Sequence, residues 1–185
     1  NDADRGAAGY SEYFVLRSDL YGWGNADYNA ANITNEGYGD WEQFKNNMEG
    51  ATVDMTVERR GAEVYVTAIA TCKDGTIYKE MYHQPCAADG NIRAFLACDH
   101  SYLQLNAAET FVGEEYASGS ALVGPADCSA AWWTAFSKYY PLNSNISDDC
   151  PFVIQFVNNN SGSGKNWNNW LVVCSTADRG GDGYY

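Results

Sequence analysis

Tryptophan and tyrosine rings set beside amides are the groups in this sequence whose type and spacing could do chemistry. Tyr21, Trp23 and Asn25 fall in one stretch, Tyr21-Gly22-Trp23-Gly24-Asn25. Trp41 follows Asp40 and precedes Gln43. Trp133 stands in the cluster Trp132–Tyr140, and Trp167 in Asn166-Trp167-Asn168-Asn169-Trp170. A sugar ring offers an apolar CH face and a rim of hydroxyls, which suits an aromatic platform flanked by Asn, Asp or Gln. Each such stacking contact is worth on the order of 1 kcal/mol by analogy with aromatic pairs. Trp23, between two glycines, is the ring expected to be most exposed. Trp170, followed by Leu171-Val172-Val173, is expected in the core.

Acid–base chemistry finds less support. Glu114 and Glu115 are sequential, so a strand would turn them to opposite faces, whereas a glycosidase needs two carboxylates about 5–10 Å apart. Asp99-His100-Ser101 has the residue types of a triad. Three consecutive residues on a turn cannot form a nucleophile–base–orienter chain. No catalysis is expected. Asp2, Asp4, Asp178 and Asp182 offer the hard oxygens that calcium takes, but not at EF-hand spacing. A solvated acidic turn accounts for them more simply, and no cofactor is expected.

Cys72, Cys86, Cys98, Cys128, Cys150 and Cys174 contain no Cys-x-x-Cys pair, so the spacing is not that of a zinc site. An even number suggests up to three disulfides and an oxidising, extracellular location. Fifteen pairings of the six are possible; Cys72 with Cys86 and Cys128 with Cys150 are the local guesses, which would leave Cys98 and Cys174, both in apolar runs.

The groups must be positioned by strands. Period-two alternation, bounded by Gly, Asn and Asp, predicts strands over 12–17, 51–59, 63–72, 76–83, 92–98, 152–157 and 169–174. Residues 102–105 read as a short edge strand, 121–123 as a further one, 41–48 as a short helix and 25–40 as a surface loop. This implies one all-β domain over 1–185, a sandwich of two mostly antiparallel sheets. The 14 Tyr and 6 Trp exceed what a core of this size needs, so some rings are expected on a binding surface. The formal charge of -13 argues against nucleic acid and anionic membrane as partners. No apolar run is long enough for a membrane span. No signal peptide is legible at the start, so a secreted protein is expected to have lost its leader.

The two ends carry the same words. Ala3-Asp4-Arg5-Gly6 recurs as Ala177-Asp178-Arg179-Gly180, and Gly9-Tyr10 as Gly183-Tyr184. One copy precedes the strand at 12–17 and the other follows the strand at 169–174. Joined, they would read strand–turn–strand, a hairpin cut within its loop, so these two strands are expected to be sheet neighbours. That pairing can close one chain on itself or join residues 1–17 of one copy to 170–185 of the next, head to tail.

Asn166-Trp167-Asn168-Asn169-Trp170 before an apolar strand, Tyr13–Asp19 before Tyr21-Gly22-Trp23-Gly24, and the hairpins from Ala51 to Leu105 carry a family resemblance. Together they resemble the non-catalytic, concanavalin A-like jelly-roll domains of secreted bacterial polysaccharide-degrading systems. The order is rotated: residues 1–105 resemble the usual second part and 110–185 the usual first part. The resemblance implies a two-sheet sandwich and glycan binding. The expected function is a secreted carbohydrate-binding module for neutral polysaccharide. The alternative is a structural subunit of an extracellular filament joined by strand exchange.

Overall fold

Alternating apolar and polar residues decide which side of each strand is buried. Ala51, Val53, Met55 and Val57 are buried along one strand while Thr52, Asp54, Thr56 and Glu58 between them are not. The computed structural model describes residues 12–17, 22–24, 33–36, 40–85, 91–99, 101–108, 118–123, 134–135, 140–143, 152–160 and 169–175. In chain order these form β1 (Glu12–Arg17), β2 (Gly22–Gly24), β3 (Ile33–Glu36), α1 (Trp41–Asn47), β4 (Ala51–Arg60), β5 (Glu63–Thr71) and β6 (Ile77–Pro85). There follow β7 (Asn91–Asp99), β8 (Ser101–Ala108), β9 (Ala121–Val123), β10 (Thr134–Ala135), β11 (Tyr140–Asn143), β12 (Phe152–Asn160) and β13 (Asn169–Ser175).

Among the described residues the strands make two antiparallel sheets. The first runs β10-β7-β13-β1-β2, with β11 also beside β7. The second runs β3-β6-β5-β4-β12-β8-β9. All seven strands expected from periodicity are present. β8 is longer than expected and is not an edge, because β9 pairs outside it. Four short strands were not expected: β2, β3, β10 and β11. Both sheets end in strands of two to four residues, which limits the unpaired backbone an edge offers to other chains.

Turn chemistry fixes the registers. Gly61, at φ 60, turns β4 into β5. Between β5 and β6, Gly75 adopts φ 86, Gly75 N–H donates to Cys72 O at 3.0 Å, and Asp74 Oδ1 accepts from Thr76 N–H at 2.9 Å. Those bonds from Thr76 hold the exposed Asp74 carboxyl below its ordinary value. Helix α1 starts because Asp40 caps it, its Oδ1 accepting from Gln43 N–H at 3.0 Å. It stays because Phe44 and Met48, one turn apart, are buried, Phe44 meeting Tyr78 edge-on at 5.1 Å.

The buried side of the second sheet collects Val53, Met55, Val57, Val64, Val66, Phe152, Ile154 and Phe156. Each such side chain contributes about 1.5–3 kcal/mol by leaving water. Trp170 on β13 of the first sheet meets Phe156 on β12 of the second at 6.3 Å, edge to face. The two sheets are therefore in contact through their aromatic residues.

The expected pairing of the end strands is present within one chain. β1 lies antiparallel to β13, with Val15 opposite Val173 and Glu12 opposite Ser175. The chain before β1 and the chain after β13 thus leave the ladder at the same end.

Two candidate disulfides do not form. Cys72 and Cys98 are thiols. Pro85, next in sequence to Cys86, is opposite Glu63, and Cys72 is nine residues on from Glu63, where β5 enters the hairpin turn. At ~3.3 Å per residue that is about 30 Å, whereas a bridge needs Cα atoms within about 7 Å. Cys98 is opposite Trp170 and Cys174 opposite Ala94, four residues apart along β7, or about 13 Å. Cys128, Cys150 and Cys86 lie outside the described residues.

Candidate functional site

Of the rings singled out by sequence, the backbone of two is described. Trp23 is the centre of β2, opposite Val15 of β1, which in turn faces Val173 of β13. Leu96, Cys98 and Trp170 are buried on that sheet, and by register they belong to the other alternate set. Trp41 is the first residue of α1, where Asp40 is committed to capping rather than left open for a ligand. Tyr21, Asn25, Trp133 and Trp167 lie outside the described residues, as do Glu114, Glu115 and the acidic end turns. Ser101 is fully buried, and its carbonyl accepts from the Cys98 thiol at 3.3 Å. It cannot serve as an accessible nucleophile.

What the described residues do bring together lies on the other side of the second sheet, away from the core. The alternate positions of β12, β4 and β5 face outward there. Gln155 is opposite Asp54, and Asp54 is opposite Ile69. One row along, Val153 is opposite Thr56, and Thr56 is opposite Thr67. These six residues, over a floor of Met55 and Ile154, line a shallow cavity of about 180 Å³. That is below the roughly 300–1,000 Å³ of clefts for drug-sized ligands and suits a single small ring.

Hydrogen bonds cross the strands at this cavity. Asn106 Nδ2 donates to Gln155 Oε1 at 3.2 Å, and Gln155 Nε2 donates to Asp54 Oδ1 at 2.6 Å. A carboxylate only accepts, so Asp54 fixes which way the Gln155 amide points. The apolar wall comes from Ile69, 37% exposed, with Met81 and Ile77 exposed beyond it on β6.

A second cluster stands at the hairpin end of the same side. The Arg60 guanidinium lies over the Tyr65 ring at 4.5 Å, and His83 stacks on Tyr65 at 5.3 Å. Tyr65 donates its hydroxyl to Glu63 at 2.5 Å, which raises the phenol above its ordinary value, and Arg60 pairs with Glu58. Arg60 reaches the ring from β4 and His83 from β6, the strands on either side of β5. Both groups therefore compete with a sugar for its faces.

No protein-family model, curated protein or solved structure matches this chain.

The chemistry open to the cavity is therefore read from its own groups. Asp54 has no second carboxylate placed for glycoside hydrolysis on β4: Glu58 is four residues away, about 13 Å, beyond the roughly 5–9.5 Å such pairs need. Among the described residues no cluster of three His, Cys, Asp or Glu could hold a metal ion, and no helix is long and apolar enough to cross a membrane. A shallow hollow with one apolar wall and a fixed row of amide and carboxylate groups can hold an uncharged polar ring. Sequence reading missed it because strand parity shows which residues of β4 face outward but not that β12, 101 residues away, lies beside it.

Proposed function

We propose that this protein is a non-catalytic carbohydrate-binding domain, a two-sheet β-sandwich of the jelly-roll kind that works outside the cell on neutral polysaccharide. The observation that carries this reading is the outward hollow on β12, β4 and β5, where the row Gln155, Asp54, Ile69 lies beside the row Val153, Thr56, Thr67. The hydroxyls of one ring can meet the amide and carboxylate there while its CH groups meet Ile69. The net charge of -13 turns anionic polymers away. The aromatic residues of the sequence, Trp23 foremost, would extend the contact along a longer chain.

A head-to-tail filament would use the β1–β13 ladder between copies. Its formation inside one chain favours the closed molecule, which needs no partner to complete its sheet.

Affinity electrophoresis through gels containing soluble β-glucan, xylan or mannan tests the reading. Retardation by at least one of these neutral polymers is expected, and mobility unchanged in all three contradicts it.

A further inference from the structure

The polar row at the cavity has an unfilled hydrogen-bonding pattern, and that pattern specifies what it recognises. The bonds from Asn106 to Gln155 and from Gln155 to Asp54 use one hydrogen of each amide and one oxygen of each acceptor. Asp54 Oδ2 is left to accept, the second N–H of Gln155 Nε2 to donate, and Asn106 Oδ1 to accept. These groups sit on three adjacent strands, β4, β12 and β8, about 4.8 Å apart. In order across the sheet they read acceptor, donor, acceptor.

We infer that Asp54, Gln155 and Asn106 form a clamp for a vicinal diol, the paired neighbouring hydroxyls of an uncharged sugar ring; the inference rests on the glycan-binding reading above. One hydroxyl donates to Asp54 Oδ2 while its oxygen accepts from Gln155, and the next hydroxyl donates to Asn106 Oδ1. Both acceptors and the donor are then satisfied by one ligand. A carboxylate or sulfate cannot donate to either acceptor and would set its charge against Asp54. An ammonium can donate to both acceptors but leaves the Gln155 N–H without a partner. Ile69, beside Asp54 in the same row, meanwhile meets the carbon edge of the ring. The clamp therefore selects neutral sugars: Asp54 turns away a uronic-acid carboxylate, and Gln155 separates neutral sugars from amino sugars.

Isothermal titration with soluble β-glucan, xylan, mannan, polygalacturonate and chitosan, on the wild-type chain and on Asp54→Asn, Gln155→Ala and Asn106→Asp, tests this. Asp54 and Asn106 are exposed and Gln155 is partly so, and melting temperatures of the three variants are expected to stay near wild type. At least one neutral polymer should bind, with a loss of about tenfold or more in Asp54→Asn and Gln155→Ala, as for a charge-assisted bond removed. Asn106→Asp, which cannot donate to Gln155, should also lose affinity. A neutral polymer that binds the wild type and all three variants equally overturns the clamp and leaves glycan binding elsewhere on the chain. Tighter binding of chitosan or polygalacturonate than of every neutral polymer overturns the clamp as well. No binding of any polymer overturns the clamp and the functional reading together.

Discussion

Trp170 of the first sheet packs edge to face against Phe156 of the second. It is 2% exposed, and its indole N–H has no hydrogen-bond partner. Trp170→Ala opens a large cavity and should cost about 3–5 kcal/mol in urea denaturation. Trp170→Phe keeps an aromatic ring and removes the unpaired donor, so it should cost less than half as much. Equal costs would mean that the indole nitrogen matters more than the ring. Cys72 gives a pH dependence of known sign. Burial, and then the Asp74 charge, push its thiol up from 9.0 to about 11. Below pH 9 folded and unfolded chains both keep the proton, so the stabilisation is fully present. Above it the unfolded thiol ionises first, and the stabilisation is lost until about pH 11. Denaturation midpoints should fall across that window and fall less in Cys72→Ala; parallel curves would contradict the burial of this thiol.

At the scale of elements, most strands that could be read were those long enough to alternate, β9 over 121–123 being the short exception. β4 and β5 show four or more buried positions each, and their period survives any local exception. β3 and β11 have four residues and β10 two, too few to separate a period from chance. β2 is Gly22-Trp23-Gly24, in which flanking glycines read as a loop although pairing with β1 makes it a strand. The Cys72–Cys86 expectation erred for a related reason. Sequence proximity suggested that pair, whereas hairpin register sets Cys72 at the turn and Pro85 at the far end of the β5–β6 ladder. The β1–β13 pairing was legible because one copy of the duplicated sequence precedes β1 and the other follows β13. Val15→Cys combined with Val173→Cys tests the closed form, since directly opposite residues fall within disulfide reach. Oxidation should give a cross-linked monomer on non-reducing gels. A ladder of linked multimers would place the joint between copies.

On the scale of the whole molecule, the two sides of the second sheet differ in chemistry, and the proposed glycan site lies on the outer one. Its inner side is mostly apolar, with Arg59, Glu80 and Asn158 buried among the core residues, and its outer side carries threonines, amides and Asp54 around a hollow. Among the described residues, the exposed large apolar side chains Ile69, Ile77 and Met81 all lie on that outer side. The most direct measurement is amide chemical-shift mapping during titration with whichever neutral polysaccharide retards the protein. Shifts concentrated at Asp54, Thr56, Thr67, Ile69, Val153 and Gln155 are the predicted result. Shifts confined to the first sheet, with these six amides unmoved, would contradict it.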